Sequence, residues 1–182
     1  LKDCKYRIGT TGTLDGTHTH KLVVEGLFGG VHNVTTTTKL MEKDLLSKLE
    51  IDCINLQYPM KDIESIKRAT YQDEIKWIIT HEKRNEFITS LCSSMKGNTL
   101  LLFNFVEHHG KPLFNRIRSE CGDRKVFFIH GGTDTEQREY IRKIIDKEKN
   151  AILIASYGTC STGINIKNIH NIIFSSPSKS VV

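Results

Sequence analysis

The chain has 182 residues, 38% hydrophobic and 26% charged, a composition that supports one well-packed core, or one domain with a fragment of another. Its formal net charge of +5 favours a polyanionic partner only mildly. No apolar stretch approaches the roughly 18 residues needed to span a bilayer, and the amino-terminal LKDCKYR carries no signal-peptide pattern, so the chain reads as cytoplasmic with no membrane partner.

Residues 1–49 hold one short strand-like stretch, the glycine-punctuated loop GTTGTLDGT and an amphipathic segment around Leu22 to Phe28. They show no regular alternation of elements and resemble the tail of a preceding domain. From about residue 50 the pattern changes. Asp52 to Tyr58 (DCINLQY) alternates polar with apolar residues as a strand does, and Pro59 stops it. SIKRATYQDEIKWII is a polar helical stretch. Its acidic Asp73-Glu74 pair follows no apolar strand that could deliver a carboxylate to a metal, so it reads as a solvated helix face with Trp77 and Ile78 turned inward.

Glu82 to Lys96 is a predicted helix, with Phe87, Ile88, Leu91, Cys92 and Met95 on one stripe and Gly97 as its stop. Thr99 to Phe105 is a buried strand. Leu113, Phe114, Ile117 and Cys121 mark a helix closed by Gly122, and Val126 to His130 is a further strand. Gly131 and Gly132 turn the chain, Thr133 and Glu136 form a capping box, and Ile141, Ile144 and Ile145 are the inner face of the next helix. A last pair of strands opens at Ala151 and runs from Asn171 to Ser176. Near-continuous apolar strands alternating with helices predict a doubly wound parallel α/β sheet.

Five cysteines, at 4, 53, 92, 121 and 160, are widely spaced and form no CxxC pair. They predict neither a disulfide framework nor a metal site, and read as buried free thiols. In a cytoplasmic chain the Asn33-Val34-Thr35 triplet has no glycosylating partner.

The run from Ala151 to Asn168 (AILIASYGTCSTGINIKN) is the most informative stretch. An apolar strand empties into Ser156, Gly158, Thr159, Ser161, Thr162 and Gly163, at the carboxyl edge where open α/β sheets bind ligands. The last 32 residues carry Lys167 and Lys179 and no carboxylate. That loop suits phosphate; an ordinary polar turn is the alternative.

Four stretches in order now resemble the motifs of a superfamily-2 helicase, most closely one of the phage recombination and branch-migration type. Gly9 to Gly16 (GTTGTLDG) resembles motif III, and Thr99 to Phe105, preceded by EKRNEFI, resembles motif IV. His130 to Arg138 (HGGTDTEQR) resembles the strand-exit HG turn with its downstream arginine, and Ala155 to Asn165 resembles motif V. The resemblance implies a RecA-like second motor domain over residues 50–182, truncated before motif VI, preceded in residues 1–49 by the remnant of the first motor domain. It implies part of an ATP-dependent DNA helicase or translocase acting on forked or branched DNA in recombination and repair. ATP and Mg2+ would serve the complete protein and none would bind this stretch alone, because the GxxxxGK[ST] loop, the acidic motif and the motif VI arginines do not occur in it. The missing first motor domain is an implied partner.

By the same resemblance, Thr11, Gly12 and Thr13 couple nucleotide state to strand grip, with simple turn chemistry as the alternative. Gly163 and Asn165 face the nucleotide, where an asparagine amide can both donate and accept. Asn104, Gly131, Ser156, Tyr157 and Thr159 face the nucleic-acid track, offering hydroxyls and N–H groups to phosphates; for Tyr157 the alternative is a rim aromatic packed on a neighbour. Phe105 reads as a core side chain, with base stacking as the alternative. His108 and His109 follow it, and Lys111 and Arg138 read as surface charges. Two other functions stay open: a nucleic-acid-binding module without ATPase activity, and an unrelated doubly wound enzyme for a phosphorylated small molecule.

Overall fold

A computed structural model of the chain describes residues 4–11, 18–160 and 166–177, with the side chains of 18–20 left aside. The chain divides into two compact units, one within Leu1–Asn55 and one within Leu56–Lys179. In the first, the described residues form two helices and no strand: α1 (His18–Phe28) covers the expected amphipathic segment, and α2 (Thr37–Glu42) is capped by the Thr36 hydroxyl, which accepts from Lys39 N–H.

The second unit is a four-stranded sheet, β1 (Thr99–Phe103), β2 (Val126–Ile129), β3 (Ile152–Ser156) and β4 (Asn171–Phe174), in the order β2-β3-β1-β4. All pairings are parallel, with Thr99 opposite Ile152 and Asn171, and Val126 also opposite Ile152. This is the predicted doubly wound α/β fold. Helices α5 (Glu82–Ser94) and α6 (Lys111–Glu120) lie on one face and α7 (Thr135–Ile145) on the other. That split follows from chain direction. The step from β1 to β2 runs one way along the sheet and the step from β2 to β3 runs back, so two right-handed crossovers must cover opposite faces.

Side-chain alternation fills both layers. Leu101, Phe103, Ile152 and Ile154 pack with Ile88, Leu113 and Ile117 of α5 and α6. Leu100, Leu102, Leu153 and Ala155 pack with Ile141 and Ile145 of α7. Every residue of β1 and β3 is therefore buried, which is why these strands read as unbroken apolar runs. Arg124 binds the layers together from the loop after α6. Its guanidinium donates to the carbonyls of Cys92, Ser93, Met95, Gly97 and Asn150 at 3.0–3.3 Å, closing the carboxyl end of α5.

Several expectations are corrected. Asp52 to Tyr58 is not a strand: it straddles the division between the units, and Tyr58 packs edge-on against Trp77 and His81 instead of joining the sheet. The polar helical stretch is broken into α3 (Met60–Ile66) and α4 (Tyr71–Thr80), the latter capped by Thr70, whose hydroxyl accepts from Asp73 N–H. Ile75 and Ile79, one turn apart, are the buried residues of α4, while Trp77 and Ile78 are half-buried at its flank. Asp134, not Thr133, caps α7, because the Thr133 hydroxyl is used within the preceding turn. Cys4 and Cys53 are exposed, so only Cys92 and Cys121 are fully buried thiols, with Cys160 between the two conditions. Phe87 is 38% exposed and lies off the inner stripe of α5. Gly97 and Gly122 stand where expected, both at positive φ (+90° and +57°), a conformation glycine adopts without strain.

Candidate nucleic-acid interface

Parallel strands all empty on one side, so the sheet collects the loops after β1, β2, β3 and β4 at a single edge. After β1 come Asn104 and Phe105, then a π-helical turn (Val106–Gly110) that leads into α6. After β2 comes the His130-Gly131-Gly132 turn. After β3 the chain enters the short helix α8 (Tyr157–Cys160), and after β4 it runs through Ser175, Ser176 and Pro177.

The Ser175–Pro177 segment is the hub of this edge. Asn104 N–H donates to Ser176 Oγ at 3.0 Å and Asn104 Nδ2 to the Pro177 carbonyl at 3.1 Å. The Tyr157 hydroxyl donates to the Ser176 carbonyl at 3.1 Å, and Arg84 Nη2 of α5 to the Ser175 carbonyl at 2.7 Å. His109 Nδ1 lies 2.8 Å from Ser176 Oγ, and the Ser175 hydroxyl returns to the Leu102 carbonyl at 2.7 Å. Burial, with the Arg84 guanidinium nearby, lowers the His109 pKa from 6.5 to about 4, so the ring is neutral at pH 7. Burial likewise pushes the Tyr157 phenol above its ordinary range, keeping it a donor.

The HGG turn is braced from within. Thr133 Oγ1 accepts from His130 N–H at 3.0 Å, His130 Nδ1 accepts from Gly132 N–H at 3.1 Å, and Arg138 Nη2 donates to the Gly131 carbonyl at 2.8 Å. Gly131 is exposed, and a side chain at that position would meet no neighbouring atom within 4 Å. A shallow concavity of about 500 Å³ opens elsewhere, at the amino end of β2 beside Arg118, Arg124 and Phe127. It lies at the opposite end of the strand from the loops that gather the motif-like residues.

The match to known proteins follows this geometry. Residues 82–182, from the first residue of α5 onward, match the helicase conserved C-terminal domain. The chain belongs to that family. The whole chain is 35% identical to the ATP-dependent DNA helicase uvsW of Enterobacteria phage T4 and spans 36% of that protein's length. The crystal structure of T4 UvsW superposes with a TM-score of 0.60 at 36% identity, over 69% of this chain and 25% of that one. The superfamily-2 resemblance and the RecA-like sheet are thereby shown for this helicase C-terminal domain, and an unrelated small-molecule enzyme is set aside.

Within the helicase domain, the structure brings Asn104, Gly131, Ser156, Tyr157 and Thr159 to the same sheet edge. Their side chains differ in what they present. Asn104 and Gly131 are exposed. Ser156 and Thr159 are buried, their hydroxyls 2.6 Å apart and bonded to one another across the β3–α8 junction. Tyr157 is half-buried and stacks on Phe174, centroids 6.1 Å apart. Phe105 is 39% exposed, so it is not a core residue: β1 ends two residues earlier than expected and leaves it outside. Lys111 is ion-paired with Glu107. Thr11 lies in the exposed stretch 4–11. Gly12, Thr13, Gly163 and Asn165 fall outside the described residues, as do Ser161 and Thr162. Sequence reasoning placed His109 beside motif IV without giving it a role and missed Arg84, Ser175 and Ser176, which with it tie the edge together; the signal for them was their position beside motif-like segments.

No group of three or more His, Cys, Asp or Glu side chains able to hold a metal ion occurs among the described residues, and no helix there is long and apolar enough to cross a membrane.

Proposed function

We propose that this chain is part of an ATP-dependent DNA helicase that acts on forked or branched DNA in recombination and repair, and that its sheet edge grips the DNA track. The observation that carries the reading is the gathering of the motif IV, HG-turn and motif V segments at one parallel-sheet edge within a helicase C-terminal domain. The phage T4 relative is by its name an ATP-dependent DNA helicase. In this reading residues 50–182 belong to the second motor domain and 1–49 to the end of the first.

Asn104, Gly131 and the α8 turn with Ser156, Tyr157 and Thr159 meet the sugar-phosphate backbone, which positions a strand without reading its sequence. Gly163 and Asn165 serve the nucleotide, and Thr11, Gly12 and Thr13 couple its state to the grip. By the helicase resemblance, Mg2+ with ATP would be held mainly by the first motor domain of the complete protein, whose closure on this domain and reopening would move the nucleic-acid strand. The site of action would be the host-cell cytoplasm.

Fluorescence anisotropy of labelled forked DNA and labelled ATP against the 182-residue chain, across a salt series, tests this. Binding of forked DNA that weakens with salt, with negligible ATP affinity, is expected. Firm ATP binding with no DNA binding at any salt would overturn it. DNA binding by a longer natural protein that never hydrolyses ATP would convert the motor into a binding module.

A further inference from the structure

The Val106–Gly110 turn departs from ordinary helix geometry. Both His109 N–H and Gly110 N–H donate to the Phe105 carbonyl, at 3.1 and 2.8 Å, so one extra residue is accommodated in the turn. Such π-turns concentrate at functional sites. Gly110 is required for it: a Cβ there would lie 2.5–2.8 Å from the ring of Phe103, a fully buried core residue. The consequence is that His109, between an exposed His108 and the core, is driven wholly inside and aimed at Ser176.

Ser176 Oγ already accepts the Asn104 N–H, which leaves its own proton for a neutral imidazole. With Nδ1 as the unprotonated ring nitrogen, this makes a chain, Asn104 N–H to Ser176 Oγ–H to His109 Nδ1, in which each bond polarises the next, while the buried His109 Nε2 finds no partner among the described residues. The Ser176 carbonyl meanwhile receives the Tyr157 hydroxyl. One serine thus ties together the loops after β1 and β3, which carry two of the residues assigned to the DNA track.

We propose that His109 is a positioning residue for DNA binding: seated by the π-turn, it orients Ser176 so that Asn104 and Tyr157 are held in one fixed frame. The inference rests on the proposed role of this edge in gripping DNA. It involves no direct contact between His109 and DNA, and none of the atoms in the relay is charged at neutral pH.

The test compares three variants of the 182-residue chain. His109→Leu removes the acceptor, His109→Asn keeps an amide oxygen near the place of Nδ1, and Ser176→Ala removes the hydroxyl between. Hydrogen exchange of the Asn104 amide reads the frame, and anisotropy on labelled forked DNA reads its consequence. His109→Leu and Ser176→Ala are each expected to speed Asn104 exchange and weaken DNA binding by about fivefold to tenfold, with the salt slope unchanged. His109→Asn should restore both to within about twofold, and the His109→Leu/Ser176→Ala double variant should be no worse than either single one, because a shared relay is lost only once.

Loss of DNA affinity in both His109 variants alike, or additive effects in the double variant, would reduce His109 to a packing residue and overturn the proposal. Unchanged Asn104 exchange in Ser176→Ala would do so as well, and that variant keeps the test decisive if His109→Leu fails to fold. Absence of DNA binding by the unaltered chain would instead overturn the helicase grip itself, while exchange at Asn104 would still report whether the relay fixes that loop.

Discussion

Acid should destabilise the second unit through His109 in a defined pH window. The side chain is fully buried, and burial with the nearby Arg84 charge brings its pKa from 6.5 to about 4. In the unfolded chain the imidazole takes up its proton near pH 6.5, whereas the folded chain refuses it until about pH 4. Stability from keeping the ring neutral is therefore complete above pH 6.5 and is lost progressively as pH falls toward 4. A displacement of that size corresponds to about 3 kcal/mol at full loss. Urea unfolding at steps between pH 7 and 4, followed by fluorescence of Trp77, the chain's single tryptophan, measures it in the unit that contains His109. Carboxylates add losses of their own, and His109→Asn, which does not titrate, subtracts them. The unaltered chain should lose about 3 kcal/mol more than the variant between pH 7 and 4. Parallel stability curves for the two would refute the reasoning, since they would mean that the buried imidazole accepts a proton without cost.

Arg124→Ala should cost about 2–4 kcal/mol in chemical denaturation, because five carbonyls, most of them at the end of α5, lose a charged donor. Arg124→Lys should recover less than half of it, as an ammonium cannot span the same fork. Gly110→Ala should lower stability by about 2 kcal/mol or more in the same assay, since the new methyl runs into the Phe103 ring. With a thiol-specific chromophoric disulfide at pH 8, Cys4 and Cys53 should react at once and Cys92, Cys121 and Cys160 only on unfolding. Burial raises the Cys92 and Cys160 thiols to about 12 and about 11, and Cys121 is enclosed beside the Ser93 hydroxyl.

The fold was legible where residues are buried on both sides. TLLLF and ILIA admit few readings other than central parallel strands, and the stripes of α6 and α7 follow from helical spacing. Errors fell where pattern and packing part company. DCINLQY alternates like a strand, but a strand needs a neighbour, and its Tyr58 found an aromatic cluster on α4 instead. Thr133 and Asp134 are both good caps by residue type; which one caps α7 is decided by the HGG turn, whose His130 N–H already occupies the threonine hydroxyl. His109 was named beside motif IV, but its burial was not legible. Residue type does not separate His108 from His109, and only a π-turn, itself dependent on a glycine lying against Phe103, selects the second histidine for burial.

At the sheet edge the same distinction separates residue type from residue role. A strand exit rich in Ser and Thr promises donors for phosphate, yet the hydroxyls of Ser156, Thr159, Ser175 and Ser176 all have partners within the protein. Two expected cations are likewise engaged, Lys111 by Glu107 and Arg138 by the Gly131 carbonyl. What these groups do is fix loop geometry, and what the loops then expose are Asn104, the Phe105 ring and the glycine turn at 131. Under the proposed DNA grip, small polar residues at this edge would not need to touch the nucleic-acid strand to be required for holding it. A backbone that must meet phosphates at set spacing depends on internal bonds as much as on external ones, because donors ordered in advance lose less entropy when the strand arrives.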